Sequence, residues 1–402
     1  MAEKITVLGI FRYFLYIGAS GFGGPLAIIE YMRRDLVMKK KWMTLEEFRE
    51  YFGYAQIAPG PLAFQVGLYF SYFKKGFWAA VLSGVGLVLP SYIVVLIFSV
   101  FYKEFKDIQY IVWALYGISP VIVAIIFFSG FNLSKSVFSK EVIQYILFFG
   151  SVFLTIFFRT PIIYLIIGSA LVSLIYFTVK DKLIFRNKSG GLDLAGVAMM
   201  LTFIATELFS AAQGKILLMF NNVKDSVSAK LIEMSLLFLK VGALTYGSGF
   251  VIVGVLRQEV VDRLGWLTPK EFLDGIAFGQ ITPGPVVITS TFIGYMTNGF
   301  AGSLLATVCI FLPSFIMCMI LAQRIQKIRD NFYLKALIKG ANAAAIGAIL
   351  STAFFLSKDA IVDYYTAGLF LIGLAVLFFT KVKPYYIIAA SAGAGILLKL
   401  YL

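Results

Sequence analysis

The hexapeptide Gln280-Ile281-Thr282-Pro283-Gly284-Pro285 has an earlier copy, Gln56-Ile57-Ala58-Pro59-Gly60-Pro61, at an offset of 224 residues. The match runs backwards at the same offset, pairing Glu47-Phe48 with Glu271-Phe272, Trp42 with Trp266, Arg33 with Arg257, Gly23 with Gly247 and Gly18 with Gly242. Forwards it continues after a slip of one residue, pairing Gly76 with Gly299, Pro90-Ser91 with Pro313-Ser314, Asp107 with Asp330 and Pro161 with Pro384. One unit of about 175 residues is therefore duplicated, and the repeat sets the architecture. The expected division is a first membrane repeat over 1–180, a linker over 181–230 and a second membrane repeat over 231–402.

With 60% hydrophobic and 14% charged residues, against roughly a quarter charged in ordinary proteins, the chain is not a soluble domain. Apolar stretches at 77–102, 107–129, 141–158 and 160–179 are answered by 303–322, 334–356, 360–380 and 384–402. Their lengths suit bilayer-crossing helices, which need about 20 apolar residues. A transmembrane β-barrel shows weaker alternating segments of about ten residues instead. The net charge of +14 fits the cationic cytoplasmic loops of a membrane protein, and nucleic acid is not expected as a partner. Cys309 and Cys318 lie in one apolar segment and read as packing residues. There is no histidine, which removes the commonest metal ligand and general base. No metal and no cofactor are expected.

Residues 5–37 read as a helix broken at Gly18–Pro25, where four glycines and a proline cannot sustain regular helix. At membrane depth such backbone survives only where protein buries it or a wet cavity borders it. Residues 44–57 and 61–73 are two short helices around Pro59-Gly60-Pro61, each too short to span, so a re-entrant hairpin is expected. Counting each half as five crossings plus this hairpin puts the first-half loops 31–43, 74–76, 132–140 and 180–188, rich in Lys and Arg, on one side. The neutral loop 103–107 falls on the other. In the second half the bias reverses, with cations gathered in 323–339. The expected fold is thus an all-α polytopic membrane protein of two inverted-topology repeats with broken helices and re-entrant helical hairpins. That count requires the apolar residues 193–213 not to cross, and they are expected to form an interfacial helix.

Phe22-Gly23-Gly24-Pro25, Trp42 and Gln56–Pro61, repeated as Tyr246-Gly247-Ser248-Gly249, Gly265-Trp266-Leu267-Thr268 and Gln280–Pro285, resemble the chromate ion transporter family, in its long, two-domain form. The resemblance covers roughly 5–180 and 231–402. It implies a multi-pass inner-membrane antiporter or exporter of chromate, with sulfate as a related oxyanion. Members of the family often carry a histidine soon after the first Gly-Gly-Pro, where this chain reads Leu26-Ala27-Ile28-Ile29-Glu30.

The residues themselves point the same way. A helix restarting after a break presents free N–H groups and a partial positive charge, which suits an anion. Restarts after Gly18–Pro25 and Pro59-Gly60-Pro61, and their copies near 242–249 and 283–285, could together hold a tetrahedral dianion. The substrate-binding residues expected are Gly23, Gly24, Gln56, Pro59, Gly60, Pro61, Lys240, Gly247, Ser248, Gln280, Thr282, Pro283, Gly284 and Pro285. Ser20, Thr289 and Ser290 are further hydroxyl donors. Any single glycine is better explained by close helix crossing, whereas the hairpin repeated as a whole favours the functional reading. Arg12 and Lys240 are cations inside apolar sequence, functional by default unless they snorkel. Arg33, Arg34 and Arg257 sit at helix mouths, where they are expected to set topology, with attraction of anions as the alternative role. Of the carboxylates near apolar sequence, Glu30, Glu207 and Glu233, the coupling candidate is Glu30. No nucleotide-binding loop occurs, so a gradient-driven carrier is expected and not an enzyme. A channel or a carrier for another small anion is the alternative. A lipid-modifying membrane enzyme would need an acid–base set that the sequence does not offer. The partners expected are a small inorganic oxyanion and the lipid bilayer, with a homodimer left open.

Overall fold

A computed structural model describes residues 5–138, 141–184, 227–244, 249–323 and 331–401. In the first repeat the helices are α1 (Val7–Ser20), α2 (Gly24–Met32, continued by a π-helical stretch Arg33–Lys39), α3 (Leu45–Ala55), α4 (Leu62–Lys75), α5 (Phe77–Phe105), α6 (Gln109–Val137), α7 (Val142–Phe158) and α8 (Ile162–Ile184). The second repeat gives α9 (Val227–Leu244), α10 (Gly249–Leu256, continued by π-helical Arg257–Arg263), α11 (Pro269–Ile281), α12 (Thr289–Ala322), α13 (Phe332–Ala360), α14 (Tyr364–Phe379) and α15 (Pro384–Tyr401). The chain is an all-α polytopic membrane protein. Among the described residues five helices are long and apolar enough to cross a bilayer, and α7 and α14 are shorter apolar helices.

The repeat holds down to local backbone. Thr44 and Thr268 each cap their helix in a reciprocal capping box with Glu47 and Glu271. The two π-helical stretches stand at the offset of 224. Helix α12 is two arms, because Asn298 and Gly299 leave helical dihedrals at the position of Gly76, whose φ is also positive. Its first arm answers α4 and its second answers α5.

The repeats make matched contacts, the first pair below inside each repeat and the second exchanged between them, as a two-fold relation requires. Gly18 meets the Leu87 carbonyl of α5, and Gly242 the Ile310 carbonyl of α12. Gly117 on α6 lies against Ser391 and Gly395 on α15, while Gly340 on α13 lies against Ser169 and Ser173 on α8. A side chain at any of these glycines would strike backbone, so their role is close helix approach.

The topology can be followed through named pairs. Lys74 Nζ donates to Glu47 Oε1 at 2.7 Å, so the hairpin α3–α4 leaves by the face it entered. From that face α5, 29 residues and about 43 Å long, runs to the other. There Lys106 Nζ donates to Glu271 Oε1 at 2.8 Å, and Glu271 opens the second hairpin. The two hairpins therefore enter from opposite faces, and the repeats are inverted. The end of α8 returns to the Lys74 face, where Lys180 Nζ donates to Glu141 Oε2 at the start of α7.

One sequence expectation is corrected. Residues 5–37 do not form a broken crossing: α1 and α2 fold back on each other as a second re-entrant hairpin. A continuous path would separate Tyr13 from Trp42 by about 43 Å. Their ring centroids are 6.0 Å apart, and Trp42 lies against Gly9. Consecutive positive φ at Gly23 (109°) and Gly24 (79°) makes the reversal. In the second repeat Lys240 Nζ lies 3.2 Å from Glu259 Oε1, so α9 and α10 fold back likewise. Among the described residues each repeat thus has two hairpins and four crossings. The loops sort between the faces as charge predicted, but α8 ends and α9 begins at opposite faces. Residues 193–213, expected to lie in the interface, are outside the described residues.

Candidate anion site at the crossed hairpin tips

Each Pro-Gly-Pro turn sits at mid-depth because two prolines end helices there and the glycine between them takes a backbone that other residues avoid. Gly60 has φ 140° and Gly284 φ 106°. Both turns are buried, and each is docked on the other repeat. At the second, Gly284 N donates to Gly21 O at 3.1 Å, and Ser91 Oγ of α5 donates to Pro283 O at 2.5 Å. At the first, Gln65 Nε2 donates to Ala58 O (3.1 Å), Pro59 O (2.8 Å) and Ser314 Oγ of α12 (3.2 Å). A Cβ on Gly60 would collide with Ser314 Oγ, and one on Gly284 with Ser91 Oγ. Ser91 and Ser314 directly follow Pro90 and Pro313, the prolines inside α5 and α12. Helix interruptions from both repeats therefore meet at one level.

Donors accumulate beside these turns. Helix α4 starts at buried Leu62, and its first intrahelical bond is Gln65 N to Pro61 O at 3.1 Å. The amides of Leu62, Ala63 and Phe64 thus have no acceptor within their helix. Around the second turn, Gln280 Nε2 and Ser290 Oγ are buried without a hydrogen-bond partner among the described residues, one on each arm. Unsatisfied buried donors are rare and costly, which makes them informative.

The other expected residues fall in different places. Thr282 and Thr289 are buried but donate to their own chain, at Gly279 O (3.1 Å) and Val286 O (3.0 Å). Gln56 is exposed at the end of α3, and Ser20 donates to Tyr16 O. Gly23 and Gly24 form the reversal between α1 and α2. Gly247 and Ser248 lie outside the described residues. Lys240 is committed to Glu259, which Arg263 also contacts. Glu30 is 58% exposed and ion-paired with Arg33. Arg12 lines a cavity of about 490 Å³ with Lys40, Tyr13 and Trp42. A larger cavity of about 580 Å³ at the Lys106 face is lined by Arg159, Arg257, Arg263 and Lys358. Neither cavity is lined by a Pro-Gly-Pro turn.

Sequence reasoning missed Gln65, Ser91 and Ser314. The repeated Pro-Ser pair marks the last two, whereas Gln65 has Thr289 at its repeat position and no signal of its own. It also missed what pins the second hairpin. Asp274 is a buried residue of α11 whose Oδ2 accepts from Tyr102 Oη at 2.8 Å. One turn earlier Glu271 feels burial, which raises its carboxyl, but bonds from Lys106 and Thr268 outweigh it and hold it below the ordinary range. Nearby, Arg257 Nη2 reaches Asp359 Oδ2 at 3.0 Å, and Gln258 Oε1 accepts from Ile162 N at 3.0 Å. These bonds tie hairpins of the second repeat to other elements at the Lys106 face. At the Lys74 face the bonds of Glu47 and Glu30 stay inside their own hairpins.

Residues 8–174 and 232–396 match the family described as Chromate transporter, one match per repeat. A probable chromate transport protein of Synechococcus elongatus is 33% identical over 392 residues, covering 96% of this chain and 94% of its own. The chromate transport protein of Cupriavidus metallidurans is 34% identical over 396 residues, covering 98% and 94%. The uncharacterized transporter YwrA of Bacillus subtilis is 26% identical over 172 residues, which is 97% of its length but 42% of this chain. That relative is the size of one repeat. No solved structure matches the chain.

Proposed function

Since this chain belongs to the chromate transporter family, we propose that it carries chromate, with sulfate as a related oxyanion, across the plasma membrane by alternating access. The reading is carried by one observation: two Pro-Gly-Pro turns, entering from opposite faces, dock reciprocally beside Ser91 and Ser314. A tetrahedral dianion between them would be held by helix-start amides, Gln280 Nε2 and Ser290 Oγ. Gln56, Pro59, Gly60, Pro61, Thr282, Pro283, Gly284 and Pro285 shape the turns, with Gly23 and Gly24 in the neighbouring hairpin reversal; Gly247 and Ser248 join the proposal by their sequence position alone. Neutral donors suit a carrier, because a fixed counter-ion would bind the dianion tightly and slow its release. Lys240, paired with Glu259, acts at a distance.

Inverted repeats supply the cycle. Exchanging the conformations of the two halves would close one face and open the other. In this reading the bonds of Asp274 and Glu271 to Tyr102 and Lys106 would have to break for the second hairpin to move at the Lys106 face. Lys39, Lys74, Lys75, Lys135, Lys335 and Lys383 gather at the opposite face, which the positive-inside rule makes cytoplasmic. Transport is then gradient-driven.

Counterflow tests this. Proteoliposomes preloaded with unlabelled chromate should take up labelled chromate faster than empty ones, saturably, with sulfate competing. Linear flux indifferent to internal chromate would instead describe a channel.

A further inference from the structure

Asp274 is the carboxyl that the transport reading does not use, and its surroundings are unusual. It is 1% exposed. Its Oδ2 accepts one bond, from Tyr102 of the opposite repeat, and its Oδ1 is buried with no partner among the described residues. The Tyr102 ring lies edge-on to Phe278 and Phe292, at 5.6 and 5.3 Å, so aromatic carbon walls the pair. A buried carboxylate with one donor is penalised, whereas its neutral acid is tolerated. Protonation therefore favours the docked arrangement seen here.

The neighbouring charges do not replace a proton. Glu271 and Lys270 lie on its own helix, and Lys106 at the end of α5 is bound to Glu271. Asp107 follows on the same loop and acts on Tyr102. On the helices packed against α11, Tyr116 of α6 donates to Asp363, Lys399 of α15 lies over the Tyr116 ring, and Asp359 of α13 holds Arg257. The first arm of α12 presents Phe292. The repeat counterpart of Asp274 is Glu50, whose partner Tyr54 belongs to its own helix. Asp274 reaches across to the other repeat.

We propose that Asp274 is a proton-binding site that latches the Lys106 face: its carboxyl holds a proton while α11 is docked on Tyr102, and gives that proton to water when the hairpin swings away. Closing the face takes the proton back. The proposal rests on the reading of this chain as an oxyanion carrier, but its chemistry can be measured separately.

The test uses the full chain as wild type, Asp274→Asn and Tyr102→Phe. Chromate self-exchange in proteoliposomes is measured with equal pH on both sides, alongside infrared titration of protonated carboxyl groups. Protonation of chromate itself is common to all three proteins and cancels in their ratio. Expected are wild-type exchange that falls as pH rises, an Asp274→Asn rate that keeps its low-pH value relative to wild type, and loss of one titrating carboxyl band in that variant. Tyr102→Phe removes the donor that stabilises the ionised form, so the band should persist to higher pH. Asp274→Asn tracking wild type at every pH, or losing no band, overturns the proposal. If the Asn variant does not insert, an unmoved band in Tyr102→Phe overturns it equally. Absence of chromate exchange in wild type refutes the carrier reading, while the infrared titration still decides the proton site.

Discussion

Replacing Gly284 by alanine probes the crossed tips at their tightest point. The new Cβ meets Ser91 Oγ, which donates to Pro283 O, and the backbone holds φ 106°. The dihedral alone costs an alanine about 1–3 kcal/mol. Displacing Ser91 costs about 1–3 kcal/mol in overpacking and about 1 kcal/mol for its hydrogen bond. The total, ~3–7 kcal/mol, is comparable to the whole stability of many domains. A second change, Ser91→Gly, empties the space and should return the steric part, leaving the backbone part. The assay is thermal unfolding of purified protein in detergent for the two single variants and the double. A coupling of about 2 kcal/mol or more is expected between sites in direct contact. Additive effects, or a loss below about 1 kcal/mol for Gly284→Ala alone, would refute the docking described.

Three further outcomes follow from the same structure. Cysteines at Lys180 and Lys230 should react with an impermeant maleimide from opposite faces of the membrane; labelling from one face would contradict the four-crossing repeat. Lys41 has φ 52° where its repeat counterpart Gly265 has φ 60°. Lys41→Gly should therefore stabilise by about 0.5–1 kcal/mol, the difference between αL strain and glycine's entropy cost, read as a rise in unfolding temperature. Glu271 is held below the ordinary carboxylate range when folded. The stability it contributes should be complete above its unfolded pKa and lost as pH falls through the folded value. Glu271→Gln should flatten that acid limb of the unfolding profile.

Much of the fold was legible because the chain states it twice. The matched Pro-Gly-Pro turns gave the second re-entrant hairpin of each repeat, and charge sorted the loops correctly. Residues 5–37 misled because the two arms of the first hairpin add up to the length of one long crossing. Hydropathy cannot tell a reversal from a kink, and only the packing of Tyr13 on Trp42 does. The Pro-Gly-Pro turns, Gln280 and Ser290 of the proposed site could be named from the sequence. The partners that fix the turns were not, since Ser91 meets Pro283 across 192 residues and Gln65 meets Ser314 across 249. Asp274 was hidden for a related reason: its partner Tyr102 lies 172 residues away in the sequence.

The most direct test of the account is chromate self-exchange by reconstituted wild type beside Gln280→Ala and Ser290→Ala. Removing a buried donor that only the bound dianion satisfies should weaken chromate binding by roughly tenfold or more without loss of thermal stability, since hydrogen bonds to charged groups are worth about 1.5–3 kcal/mol. Wild-type affinity in both variants would place the anion elsewhere and contradict the crossed tips as its site.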